Sequence, residues 1–346
     1  MTETFFLSVL ALILVSLFWW AFRKLPGESW QILAAVPVHK DDSGHWYGLN
    51  LTWYGFFSAS AYVLAAAVYL VLTASVGVPR PGAFTLLAVM LLICAPAAKV
   101  LARMIEGKSF TFTVGGAAFT GILAAPFVTR LVEAFTGWPL PVLPVISATA
   151  VAYAFGEGLG RLACVSFGCC YGRPLSDLSP AARRWLGYWT FTFTGKTKKI
   201  AYEGGLDGQK VVPVQAFSAV VNSAAGLAGT VLFLLSHFWA AFLLTVFITQ
   251  VWRFFSEFLR ADFRGHGKIS AYQKMNVAAV LYAMALAALV PDAAPAVADL
   301  EAGLRTLWNP AMIIFLQCLW AVFFLYTGRI KVTGSTLEFF VHRDRI

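Results

Sequence analysis

The stretch GEGLGRLACVSFGCCYGRP, Gly156–Pro174, lies where an apolar run gives way to a basic loop. Its nineteen residues hold five glycines, two arginines, one glutamate and three cysteines. Upstream, residues 139–155 (PLPVLPVISATAVAYAF) carry no charge, so the stretch begins inside a segment suited to hydrocarbon. Glu157 and Arg161 are four residues apart and share one face of a helix. A charge in a membrane helix costs roughly 2.5–3.5 kcal/mol on the insertion scale and needs a partner or a polar pathway. The fold class follows from how often such apolar runs recur.

The chain has 346 residues, 59% hydrophobic and only 12% charged. Soluble domains carry about a quarter charged residues, so the composition excludes an ordinary soluble domain. Apolar runs of the length needed to cross ~30 Å of hydrocarbon fall near 4–22, 50–76, 82–102, 112–134, 139–160, 213–236, 238–259, 271–291 and 309–328. The expectation is an all-α polytopic membrane protein with about nine spans and a small mixed head. The first run lacks a basic leader and a small-residue cleavage site, so it reads as an anchor helix rather than a signal peptide. The divisions are 1–47 (anchor and linker), 48–160 (first half of the core), 161–212 (basic head), 213–291 (second half) and 292–346 (extra helix and tail).

The formal net charge of +9 would suggest nucleic acid in a soluble protein. Here most basic residues lie in loops, which points to anionic lipid headgroups instead. Within the head, Tyr188–Thr194 alternates threonine and aromatic residues. Gly195–Lys196 can turn the chain before Lys198–Tyr202, which is a hairpin signal. A basic, aromatic hairpin suits phosphates at a membrane surface, and a solvated loop accounts for it equally.

Lys and Arg counts orient a membrane chain. Alternate loops hold three basic residues on one side (Arg80, Arg130, Arg305) and twenty on the other, eight of them in the head and four in the tail. Charge counting therefore places the head and the C-terminus in the cytoplasm.

The five cysteines (94, 164, 169, 170 and 318) form no disulfide framework. Cys169 and Cys170 are adjacent, and the spacing of Cys164, Cys169 and Cys170 lacks the paired C-x₂₋₄-C pattern of zinc sites. No metal is expected. No cofactor is expected either, because GEGLGR closes a helix rather than following a strand, and no P-loop is present.

Polar residues recur at the ends of other spans. Arg253, Glu257 and Arg260 fall on one helical face in QVWRFFSEFLRADFRG. Arg253–Glu257 can equally be a self-satisfied pair near the interface. Gln215, Ser218 and Asn222 line the sixth span. Tyr54 opens the second span, where interfacial tyrosines are common. Gly115–Gly116 starts the fourth, where close helix packing is the plain explanation. Together these make a polar cavity at one membrane face, with arginines to hold a phosphate and carboxylates for proton transfer.

The order of these motifs resembles bacterial prolipoprotein diacylglyceryl transferase. The match runs through Tyr54 in WYG, the Gly115–Gly116 helix start, G-R-x₆-G-x₃-G from Gly160 to Gly172, Pro213-x-Gln215, and Arg253-x₃-Glu257. It covers roughly residues 48–291, with the first and last spans as additions. The resemblance implies transfer of the diacylglyceryl group of phosphatidylglycerol to the lipobox cysteine of a lipoprotein precursor, in the bacterial inner membrane and without a cofactor. It carries functional roles to Tyr54, Arg161, Gly172, Arg253 and Glu257. It marks Gly115, Gly116 and Gln215 as candidate substrate contacts, and Arg260, on the face of Arg253, is a further candidate.

Departures are specific. Val114 stands where the family has histidine, Cys164 where it has an essential asparagine, and Cys169 where it has glutamate. The family's H-P-x-Q-x-x-E becomes Val212, Pro213, Gln215 and Ser218. Cys164 and Cys169 are thus candidate catalytic positions with altered chemistry, and the pattern is that of a divergent paralogue. The family orientation puts the head outside, against the charge count. A non-catalytic lipid-binding protein and a transporter are the competing functions. No pair of broken helices supports transport.

Overall fold

The first apolar run folds as α1 (Thr2–Lys24), ending on Arg23 and Lys24 at the negative pole of the helix. The computed structural model describes residues 2–107, 113–262, 269–289 and 297–346. After α1 the chain forms strands β1 (Ile32–Lys40) and β2 (Trp46–Thr52). The helices α2 (Trp53–Ser75), α3 (Arg80–Glu106), α4 (Val114–Thr136) and α5 (Val142–Phe167) follow. The head holds α6 (Pro180–Leu186), β3 (Phe191–Thr192), α7 (Lys199–Tyr202) and β4 (Lys210–Val211). The second half contributes α8 (Val214–Leu234), α9 (Phe238–Ser256) and α10 (Ala271–Leu289). Last come α11 (Leu300–Leu307), α12 (Pro310–Thr327) and β5 (Arg329–Leu337).

Eight described helices are long and apolar enough to cross a membrane. The chain is a multi-pass membrane protein. The eighth expected span does form a helix, α10, but Gln273, Lys274 and Asn276 crowd its first turns and it is not one of the eight. Residues 290 and 291, the end of that expected span, lie outside the described residues, as does residue 112 at the start of the fourth.

Helix α5 is the axis of the bundle, and it is buried along most of its length. Its glycines are the reason. A Cβ on Gly156 would stand 3.0 Å from Ala65 of α2, and one on Gly158 would enter Ser223 of α8. On the facing helix, Gly226 takes the ring of Phe155, leaving 3.0 Å for a Cβ. Small residues of this kind let backbones approach closely where lipid supplies no hydrophobic drive for association. Gly156 and Gly158 therefore seat α5 between α2 and α8.

The head departs from the expected hairpin. Phe191–Thr192 forms the first arm but pairs with Lys210–Val211, while Lys199–Tyr202 is a helical turn. Lys198 explains the change. Its ammonium is buried and donates to the carbonyls of Leu25 (3.1 Å) and Ser166 (2.5 Å), at the ends of α1 and α5. A residue needed at two helix C-termini cannot continue an exposed strand. It holds the head down rather than offering its charge to lipid.

A second sheet was not expected. β1, β2 and β5 form an antiparallel sheet in the order β1-β2-β5. Its hairpin turns at Asp41–Gly44, where Asp41 accepts from the His45 amide at 2.9 Å. Thr52 then caps α2 by accepting from the Gly55 amide at 3.3 Å. Gly55 lies directly against Gly328 at the end of α12. The ends of α1, α5, α9 and α12 and the starts of α2, α8 and α10 therefore gather at one end of the bundle, together with the head and the sheet.

Candidate functional site

The charged residues meet at that end. Arg161, in the last two turns of α5, and Arg253, in the last turn of α9, both donate to the same carboxylate oxygen, Oε1 of Glu157. The Arg253–Glu157 bond is 3.0 Å and joins helices 96 residues apart. All three side chains are nearly buried, at 11%, 8% and 5% exposure for Arg161, Arg253 and Glu157. The group holds two positive charges and one negative, so it keeps a net charge of +1 away from water. The Nε atoms of Arg161 and Arg253 are buried without a hydrogen-bond partner. Two idle guanidinium donors beside an uncompensated charge describe a receptor for an anion.

Gly115 completes the arrangement. A Cβ there would stand 3.2 Å from Nη2 and 3.3 Å from Nε of Arg253, and 3.2 Å from the Tyr272 ring. The first turn of α4 is thus bare where the Arg253 guanidinium lies against it. Tyr272 is itself fixed by donating to Glu106 at 2.8 Å. Gly116 does something else: it packs on α3, where a Cβ would stand 2.9 Å from the Leu101 side chain. Of the glycine pair, only the first faces the arginine.

Arg260 and Glu257 take other parts. Arg260 forms a two-bond fork with Asp262, both bonds 2.7 Å. Its backbone bridges Gly172, and Arg173 donates to the Leu259 carbonyl at 2.9 Å. Gly172 meets the Val212 carbonyl so closely that no side chain fits. Arg260 and Gly172 therefore tie the cysteine loop to the end of α9. Glu257 does not pair with Arg253, since α9 tightens into a 3-10 turn at Glu257–Leu259 and carries it off the Arg253 face. It lies in electrostatic range of Arg260 instead.

Tyr54 packs edge-on to Phe167 at 5.6 Å between ring centroids, within electrostatic range of Cys164, Cys169 and Cys170. Gln215 donates to the Cys169 carbonyl at 2.9 Å and keeps its own carbonyl oxygen buried and unpaired. None of the five cysteines is disulfide-bonded. The Sγ atoms of Cys164, Cys169 and Cys170 all lie within 4.8 Å of one another. Hydrogen bonding to Cys164 and Cys170, with burial, pushes the Cys169 thiol well above its ordinary range. Burial lowers the Lys198 ammonium to about 8.

A family model of prolipoprotein diacylglyceryl transferase matches residues 45–289. The chain belongs to that family. No curated protein matches it in sequence. The matched region begins at the turn before β2 and ends with α10, so α1, β1, α11, α12 and β5 are additions around the family core.

Two grooves run along the outside of α9 and α10. One of about 180 Å³ lies beside Val251, Phe254, Phe255 and Asn276. A larger one, about 450 Å³, lies further along, beside Leu243, Phe247, Ala283 and Met284. Val280 borders both, so they form one apolar track leading toward the end that holds Arg253.

Sequence reasoning missed Glu157 as the hub. It paired Glu157 with Arg161, but a bond across 96 residues leaves no mark in local spacing. The available signal was the repeated i,i+4 arrangement of a carboxylate and an arginine at the same end of two spans.

Proposed function

We propose that the chain transfers the diacylglyceryl group of an anionic phospholipid, phosphatidylglycerol, to an acceptor thiol of the lipoprotein-cysteine type. The single observation that carries this is the pair of buried guanidiniums on Glu157, each with an idle Nε donor. A lipid phosphate neutralises the surplus charge and takes both donors. The acceptor sulfur attacks the glycerol carbon bearing the phosphate, the C–O bond breaks, and glycerol phosphate leaves. Arg161 and Arg253 stabilise the charge that grows on the leaving oxygen. Glu157 sets the spacing of the two guanidiniums; doubly hydrogen-bonded and charged, it is a poor base. Glu257, half-buried beside Arg260 and outside the Arg–Glu157 group, takes the acceptor's proton. The lipid's acyl chains fit the apolar track along α9 and α10.

A second reading rests on Val114, Cys164 and Cys169, which replace a histidine, an asparagine and a glutamate of the family. A chain that binds the headgroup without reacting uses the same arginines. One experiment separates them. Purified protein in proteoliposomes of phosphatidylglycerol receives a lipobox peptide, and the peptide mass is measured. A mass increase of one diacylglyceryl group is expected; an unmodified peptide with lipid bound at the arginines would leave only the binding reading.

We place the site at the outer leaflet of a bacterial inner membrane, following the family rather than the charge count. Lys198, one of the eight basic residues of the head, serves helix ends, which weakens that count. A cysteine at exposed Glu338, in a chain otherwise free of cysteine, should react with impermeant label in intact spheroplasts. Protection until lysis would place the site inside.

A further inference from the structure

The three cysteines lack the paired spacing that advertises a zinc site, yet the fold brings them to one point. α5 ends at Phe167, Gly168 turns the chain with φ 71°, and Cys170 adopts φ 56°. A left-handed conformation costs a residue with a side chain roughly 1–2 kcal/mol, so the backbone at Cys170 is held there by its surroundings. The Gly172–Arg260 bridge, the Gln215 bond to the Cys169 carbonyl and the Arg260–Asp262 fork supply that hold. The outcome is that Cys169 and Cys170 fold back over Cys164.

We infer that Cys164, Cys169 and Cys170 form a three-thiolate site for a soft d¹⁰ cation, zinc(II) or copper(I), with its fourth position open to the acceptor thiol. Thiolates select such cations over calcium or magnesium. The Sγ atoms lie within 4.8 Å of one another, against about 3.8 Å between sulfurs of a tetrahedral site with ~2.3 Å bonds. Side-chain rotation closes that difference. Among the described residues no fourth cysteine, histidine or carboxylate joins the group. Three protein ligands and a vacant position are the pattern of reactive rather than structural zinc sites. Each of the three cysteine residues keeps some solvent exposure. Three thiolates around zinc carry a net charge of −1, and around copper(I) −2. Arg161 lies in electrostatic range of Cys164 and Cys170, Arg260 of Cys170, and Lys199 of Cys169 and Cys170. These cations favour an anionic complex.

The open position gives the site a role, which rests on the transferase reading above. An acceptor thiol binds the cation and gives up its proton to Glu257, the proton acceptor named above. The bound sulfur forms a bond to the glycerol carbon, and that carbon's bond to the phosphate oxygen breaks. Glycerol phosphate leaves with the electron pair beside Arg161 and Arg253, and the thioether product, a weaker ligand, departs. No electrons are exchanged with the cation. In this way the cysteines stand in for the family groups replaced at Cys164 and Cys169.

The test uses the reduced full-length protein in detergent. Cobalt(II), as a spectroscopic stand-in for zinc, should give thiolate-to-metal charge transfer at one equivalent per chain. Anaerobic competition with a copper(I) chelator and a zinc chelator distinguishes the two cations. One equivalent of the preferred cation should protect all three thiols of the unaltered protein from alkylation, read by peptide mass, so the result does not depend on a variant that folds. Cys169→Ser and Cys170→Ser should each abolish the cobalt band. No band and no protection, or a band that survives both substitutions, overturns the site. Removing a bound cation should abolish peptide modification, and restoring it should recover the activity. Unchanged modification after removal overturns the open position while leaving the metal site standing. These binding readouts hold whether or not the peptide is modified, so failure of the transferase reading is seen separately.

Discussion

Two buried charge clusters stand at the same end of the bundle and are built differently. In one, Arg161 and Arg253 share the single carboxylate of Glu157 and leave two Nε donors idle. In the other, Arg260 puts both its Nε and an Nη donor on the Asp262 carboxylate through two bonds of 2.7 Å. Both sequences contain an arginine near the end of a span, and on paper they look alike. The first cluster is over-supplied with positive charge and donors, and the second is closed. A buried charge retained without its full complement of partners is explained by a ligand, whereas a matched fork is explained by the fold.

Substituting each arginine breaks that comparison most sharply. Arg161→Ala and Arg253→Ala should each lower lipid transfer by about 100-fold or more, the scale of losing a donor to developing charge. Arg260→Ala should instead destabilise the protein by about 1.5–3 kcal/mol, the scale of losing hydrogen bonds to a charged group. The double variant Arg260→Ala/Asp262→Ala should recover much of that loss. Thermal unfolding and peptide modification, measured side by side, check the split. Equal losses of activity from Arg260→Ala and Arg161→Ala would merge the two clusters into one site.

Glu157→Gln sharpens the same contrast. It leaves two buried cations with a neutral amide, so the melting temperature should fall. Vesicles of phosphatidylglycerol should then raise it more than in the unaltered protein, since the lipid phosphate replaces the lost charge. An equal shift in both proteins would mean that the headgroup does not reach these arginines.

A smaller effect is expected at the helix start that faces Arg253. In Gly115→Ala the added carbon would stand 3.2 Å from Nη2, forcing the guanidinium to give by a few tenths of an ångström. Displacements of that order in a positioned group should reduce transfer about tenfold with little change in stability. Gly116→Ala, against the Leu101 side chain, should affect packing and not transfer.

The smallest effect concerns Lys198. Its folded-state value, about 8, lies below the ordinary 10.5, so between those pH values the unfolded chain binds more protons than the native one. Stability should therefore rise as pH increases from about 8 to about 10.5, the burial penalty being present in full below that window. Lys198→Met should flatten this rise in a pH series of unfolding midpoints.

The spans, the head and the chemistry-bearing arginines were legible because hydrocarbon length and charge in an apolar run are local signals. The β1-β2-β5 sheet was not, since β5 joins β2 from almost 300 residues away and Pro37 interrupts the alternation of β1. Its turn, DDSG at Asp41–Gly44, was the readable clue. The expected hairpin named the right first arm and the wrong partner, because Lys198 answers to helix ends that lie outside its own segment. Arg260 reads in sequence as a candidate substrate contact, and Asp262, two residues on, takes its guanidinium in the fold. The glycines of GEGLG do not show in sequence which neighbour they admit, and the contacts of Gly156 and Gly158 give α2 and α8. In each case the residue type was informative, and the partner was set by tertiary contact.

The central claim is that Arg161 and Arg253 together hold the lipid phosphate above Glu157. A structure of the protein in a phosphatidylglycerol nanodisc, by electron cryo-microscopy, tests it most directly. The account predicts headgroup phosphate density within hydrogen-bond distance of both Nε atoms, with acyl density along α9 and α10. Headgroup density at Arg260, or at the head's outer surface with both Nε atoms still unpaired, would contradict it.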